Sequence, residues 1–147
     1  MNLTTHFTLE EFNKTSKIEY QEENANKATT FLQSILKVAA ELEKPRNFFA
    51  RKIIIFSGFR CPDLNKAVGG SPNSQHMTGQ AADFTMKDFE DPQGLSFVFE
   101  WCAKNTDYGQ LILETPEGRP AWIHWALPRE GKPKTHYYFK NGKYISA

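Results

Sequence analysis

Apolar residues recur at helical spacing between residues 24 and 42, where Phe31, Ile35, Val38 and Leu42 share one face. Pro45 follows, and the pattern predicts that the helix stops before it. Upstream, Thr8 with Glu11 three residues on has the form of a capping box, so a helix is expected to start at Leu9. The period then changes. Residues 52–56, Lys-Ile-Ile-Ile-Phe, are β-branched and apolar and predict a buried strand. Residues 62–68 read as a short helix, and Gly69-Gly70-Ser71-Pro72-Asn73 as a loop. Residues 81–85 predict a second strand. Asp91 and Pro92 open a helix whose apolar face is Leu95, Val98, Phe99 and Cys102. Residues 110–114 and 122–126 predict two strands joined by the turn-rich segment 115–121. Residues 136–145 predict a hairpin turning at Asn141-Gly142. The sum is an α+β fold: a single domain with a central antiparallel sheet and helices packed on one side.

No repeat, low-complexity stretch or linker divides the chain, so residues 1–147 are expected to form one domain. Within it, residues 1–50 are the helical N-terminal part, 51–127 carry the candidate chemistry, and 128–147 form the hairpin. Eighteen basic and seventeen acidic residues leave a formal net charge of +1. That balance argues against a nucleic-acid or membrane-surface binder driven by bulk charge. No apolar run approaches the ~20 residues of a membrane span. The first residues lack a basic region followed by an apolar core, so no secretory signal is read and synthesis in a cytoplasm is expected. Cys61 and Cys102 are too few and too far apart for a disulfide scaffold or a zinc ribbon, and they read as free buried thiols.

The candidate chemistry sits in Ser74-Gln75-His76-Met77-Thr78-Gly79-Gln80-Ala81-Ala82-Asp83 and in Trp122-Ile123-His124. His76, Asp83 and His124 offer two imidazoles and a carboxylate, a set suited to one zinc ion per chain. Three protein ligands leave a tetrahedral zinc one open position, which hydrolysis requires. The histidines are not four apart on a helix, so this is not the helical zinc-protease motif. Gly79 lets the backbone turn between His76 and Asp83. Lone histidines are usually surface or satisfied core residues, and His6 and His136 are read so.

These segments, with Ser57-Gly58-Phe59-Arg60 and Gly69-Gly70-Ser71 ahead of them, resemble the zinc D-alanyl-D-alanine carboxypeptidase and L-alanyl-D-glutamate endopeptidase family, whose fold is shared with Hedgehog signalling domains. The resemblance runs from about Phe7 to Ala126. It is nearest a compact branch found in bacteriophages and bacteria, which often opens with a stretch like His-Phe-Thr-Leu-Glu-Glu-Phe at residues 6–12. It implies cleavage of peptide bonds in peptidoglycan stem peptides or their precursors. It implies His76, Asp83 and His124 as zinc ligands and Arg60 as a group for a substrate carboxylate or the oxyanion. It also implies that Ser74 and Gln110 donate hydrogen bonds to substrate. A missing secretory signal suits a phage lysis enzyme and a cytoplasmic enzyme acting on precursors alike.

The general base is where the sequence departs from the pattern. Many members of the family carry Asp or Glu three residues before the last zinc histidine; here that position is Ala121. Glu114, at the end of the preceding strand, is the candidate, with Glu117 the fallback at an exposed turn. Trp122 and His124 share a strand face by alternation. A connection with an odd number of residues would put Glu114 opposite Trp122 on that face, as in Hedgehog domains and the compact branch. Trp122 is then expected to line the groove, whereas Tyr137, Tyr138 and Phe139 are read as hairpin packing. Two functions follow. The first is a zinc peptidase of peptidoglycan stem peptides, an endolysin-like endopeptidase or D,D-carboxypeptidase. The second is an inactive, zinc-stabilised domain of the same fold that binds a peptide or wall fragment. A monomer with a peptidoglycan partner, no nucleic acid and no membrane insertion is expected.

Overall fold

The computed structural model describes all 147 residues. Five helices, α1 (Leu9–Asn13), α2 (Gln21–Ala28), α3 (Leu32–Phe49), α4 (Pro62–Ala67) and α5 (Pro92–Asn105), accompany six strands. These are β1 (Ile53–Ser57), β2 (Ala81–Met86), β3 (Gln110–Thr115), β4 (Trp122–Ala126), β5 (Thr135–Lys140) and β6 (Lys143–Ser146). They form one sheet in the order β1-β2-β4-β3-β5-β6. No helix is long and apolar enough to cross a membrane.

Local chemistry sets several boundaries as the sequence predicts. The Thr8 hydroxyl accepts from the Glu11 amide while the Glu11 carboxylate accepts from the Thr8 amide, closing the capping box on α1. Asp91 caps α5 through the Gly94 amide, and its face of Leu95, Val98, Phe99 and Cys102 is fully buried. Asn141 and Gly142 both take positive φ, which is the turn that matches the twist of the β5–β6 hairpin.

Two expectations are corrected. The helix over 24–42 is not continuous, and Pro45 does not stop it. Residues Thr29–Phe31 form a 3₁₀ turn between α2 and α3, with the Thr29 hydroxyl bonded to the Asn26 carbonyl. α3 then runs through Pro45 to Phe49. An interior proline costs a helix about 3 kcal/mol. Here the last turn is held by tertiary contacts: Phe48 stacks on Trp101 at 4.7 Å, and Phe49 meets Phe89 and Trp101 edge-on at 5.3 and 6.0 Å. The expected α+β fold with its antiparallel sheet is borne out: β1–β2, β2–β4, β3–β4 and β5–β6 pair antiparallel, and β5 alone lies parallel to its neighbour β3. The chain leaving β4 skips over β3, and the strap at 127–134 makes that crossing.

Strand alternation divides the sheet into two faces. On one, Ala82, Phe84, Met86, Ile123, Trp125, Leu111 and Leu113 are buried, and α3 and α5 pack there to complete the core. The other carries Asp83, His124, Ile112, Glu114 and Trp122 and is left open as a cleft.

Candidate metal centre

The centre is built from two rungs and a turn. Asp83 on β2 pairs directly with His124 on β4, so the ladder places both side chains side by side on the open face. His76 comes from the 3₁₀ turn Gln75–Thr78, which begins at Ser74, whose hydroxyl accepts from the His76 amide. The turn ends at Gly79 with φ +68°, and a Cβ there would meet Ile35 Cγ1 at 2.8 Å and Phe31 Cβ at 2.9 Å. Glycine is required both for the left-handed turn and for the space.

The ligand atoms of His76, Asp83 and His124 all lie within 4.8 Å of one another. His76 Nε2 is 3.3 Å and His124 Nδ1 is 2.8 Å from the same oxygen, Asp83 Oδ1. Two ligands each 2.0–2.1 Å from a tetrahedral zinc stand about 3.3 Å apart, so the set fits that ion with little adjustment. The other ring nitrogen of His76 donates to the Gly58 carbonyl at 2.7 Å, which fixes the tautomer that leaves Nε2 free as a ligand. Burial pushes the His76 imidazole down and keeps it neutral, against the pull of the Asp83 charge. Burial alone would raise the Asp83 carboxyl, but the two imidazoles outweigh it and hold the group well below the usual carboxylate range. A neutral imidazole and an ionised carboxylate are the protonation states a divalent metal takes.

Glu114 faces the same cleft. It pairs with Trp122 across seven intervening residues, the odd count that alternation requires, and lies one open-face rung from the Ile112–His124 pair. Partial burial raises its carboxyl above the ordinary range; the Asp83 charge adds to this and His124 opposes it. Glu117 is exposed at the turn and outside the cleft, and Ala121 is buried and inert.

The cleft measures about 540 Å³, and Arg60, Ser74, Gln110 and Trp122 line it beside the three ligands. Asn24, fully buried, holds the Phe59 carbonyl and the Cys61 amide on either side of Arg60. The Arg60 amide bonds the His76 carbonyl at 3.0 Å. Its guanidinium makes no ion pair: it reaches only the Ser57 and Ser74 hydroxyls, at 3.5 and 3.4 Å, and its buried Nε has no partner. Burial depresses its pKa while Asp83 supports the charge. Trp122 lines the cleft with Arg119 5.9 Å over its ring, whereas Trp125 is buried and bonds the Thr106 hydroxyl.

The remaining residues divide as follows. His6 bonds Glu43, His136 bonds Tyr108, and both cysteines are free and buried. Of the hairpin aromatics, Tyr138 packs on Phe99 and Phe139 on Tyr144, as expected, whereas Tyr137, edge-on to Tyr144, also lines a space beside the cleft. Tyr144, absent from the sequence reading, lines the cleft. The Gly58 carbonyl and Arg129 were likewise missed: a backbone acceptor leaves no residue-type signal, and nothing in the local sequence marks Arg129.

The model of the family Peptidase M15 matches residues 5–115, three quarters of the chain. The matched stretch takes in Arg60, Ser74, His76, Asp83, Gln110 and Glu114. It stops before Trp122 and His124, which the ladder returns to the same face. No curated protein matches the chain.

Proposed function

The chain belongs to the Peptidase M15 family of zinc metallopeptidases, and we propose that it hydrolyses peptide bonds in bacterial peptidoglycan stem peptides, as an endolysin-like endopeptidase or a D,D-carboxypeptidase. The observation that carries this reading is Glu114: a carboxyl of raised pKa on the open face, one rung from a His–Asp–His set that fits a metal. A general base needs a pKa nearer the operating pH than an exposed glutamate has. Glu114 therefore stands in for the acid absent at Ala121.

His76, Asp83 and His124 would hold zinc, which when bound would supply Lewis-acid chemistry for a carbonyl and for water. Glu114 takes the proton of the attacking water and returns it to the leaving amine. Arg60, with donors unused by any carboxylate, binds the developing oxyanion or a substrate carboxylate. The Ser74 hydroxyl already accepts from the His76 amide, so its own proton is available to substrate. Gln110 makes no side-chain bond within the protein and offers its amide to the same cleft. Trp122 supplies an apolar wall.

The test is mass spectrometry of purified peptidoglycan after incubation with zinc-loaded protein, beside a Glu114→Ala control. New stem-peptide fragments that vanish in the control establish the peptidase and name the bond. No fragments from several wall chemistries, with one zinc still bound per chain, would overturn it in favour of a binding domain.

A further inference from the structure

The cleft does not end at the metal ligands. Past Gln110 it opens into a second space of about 250 Å³ whose walls include Gln75, Gln110, Arg129, Lys132, Thr135 and Tyr137. Gln75, Gln110 and Arg129 line both spaces, so the two are neighbours. No carboxylate lines the second space, and neither Arg129 nor Lys132 forms an ion pair with any acidic residue. Two exposed cations therefore stand in a concave wall with no carboxylate paired to them.

That wall is held in place. The Leu127 amide bonds the Gln80 carbonyl, and the Gln75 side-chain amide bonds the Leu127 carbonyl, both at 2.9 Å. One guanidinium nitrogen of Arg129 donates to the Asn73 carbonyl at 2.7 Å, leaving its other donors for a ligand. The Lys132 amide closes a turn onto the Arg129 carbonyl. Distance also speaks for a subsite. Gln110 lies two residues along β3 from Ile112, the partner of His124, and two residues of strand span about 7 Å. An extended peptide whose reacting bond sits beside His124 thus reaches Gln110, at the edge of the space that Arg129 and Lys132 line, about two residues away. Arg129 and Lys132 lie beyond residues 5–115, so the two cations are not part of what the family match covers.

We propose that Arg129 and Lys132 form a carboxylate subsite, and that this chain selects peptides bearing a free carboxylate a residue or two from the bond beside the metal centre. The proposal rests on the peptidase reading for the direction in which substrate lies, but binding alone tests it. The probes are the stem pentapeptide L-Ala–γ-D-Glu–L-Lys–D-Ala–D-Ala with its C-terminus amidated, and the same peptide with the α-carboxylate of its D-glutamate amidated as well, so that the two differ in one carboxylate. Calorimetric titration of the metal-free protein avoids turnover, and hydrolysis of both peptides in their free-C-terminus forms by the zinc-loaded protein is followed separately.

The acid form is expected to bind about tenfold more tightly than the amide, the gain of one charge-assisted contact. The preference narrows as salt rises. Lys132→Gln, which removes no backbone tether, reduces the preference, and Arg129→Gln with Lys132→Gln abolishes it. Equal affinity for the two peptides, no binding of either, or a preference that survives the double substitution each overturns the subsite. Equal affinity with hydrolysis of both leaves the peptidase standing without it. Acid-selective binding with no hydrolysis by zinc-loaded protein leaves the subsite standing and removes the peptidase.

Discussion

Replacing Gly58 with alanine should damage the fold and the metal centre together. A Cβ at this position would lie 2.5 Å from the Phe12 carbonyl oxygen, 2.7 Å from Phe12 Cα and 3.0 Å from its carbonyl carbon. Ordinary contact begins near 3.4 Å, so the two backbones must part by almost 1 Å. Phe12 cannot readily give way. Its carbonyl accepts from the Phe59 amide, and the neighbouring Asn13 carbonyl is held by the buried Asn24. Gly58 must therefore move, and its carbonyl is the acceptor for His76 Nδ1. Overpacking costs about 1–3 kcal/mol, and stretching that hydrogen bond adds about 1 kcal/mol. The sum, roughly 2–4 kcal/mol, lowers the melting temperature by about 5–15 °C for a chain of this size. Displacing the partner of a ligating histidine weakens metal binding about 10–100-fold. Thermal melts of the metal-free protein and a competitive zinc titration read the two effects. Melting within about 2 °C of the parent, a shift well under 1 kcal/mol, would refute the packing argument. A large loss of stability with unchanged zinc affinity would refute the link from Phe12 through Gly58 to His76.

The Thr85 hydroxyl is buried and unpaired, so Thr85→Val should raise stability by about 1 kcal/mol in denaturant unfolding. A loss would mean that the hydroxyl has a partner. Asp83 has a folded pKa below its unfolded value, so the stability it contributes is present above about pH 4 and lost as pH falls further. The stability gap between metal-free parent and Asp83→Asn should accordingly shrink on acidification below pH 4. A gap constant across that range counts against the pairing. Glu114 should titrate by carbon-detected NMR above the ordinary glutamate value of about 4.3, and Asp83→Asn should bring it down by removing a nearby negative charge. An unmoved midpoint would separate Glu114 from the centre.

What could be read from the residues follows from how local the determinants are. The helix at 92–105 announces itself by an Asp-Pro start and one apolar face, and the terminal hairpin by Asn141-Gly142. The continuation of α3 through Pro45 was not legible, because Phe48 and Phe49 are held by Trp101 and Phe89, forty residues or more away in sequence. The parallel seating of β5 depends on the strap crossing β3, and no residue pattern encodes that choice. At the site, the grouping of His76, Asp83 and His124 could be read from residue type and spacing, and the fold brings the three together as a set that could hold a metal. The placement of Glu114 followed from alternation once the connection was known to be odd. The cations of the second space come from a strap that carries no periodicity, so only the folded chain places them beside Gln75 and Gln110.

The division of the ligands between a ladder and a turn makes a bound metal a cross-link. Asp83 and His124 are neighbours by sheet register whatever occupies the site. His76 stands 48 residues before His124 along the chain, in a turn outside the sheet. A covalent bridge closing a loop of that length restricts an unfolded chain by roughly 4 kcal/mol. A metal that holds all three residues plays the same part reversibly. Chelation should then leave hydrogen-exchange protection in the sheet intact while residues 69–79 open sooner, so the rim of the cleft loosens and its floor does not.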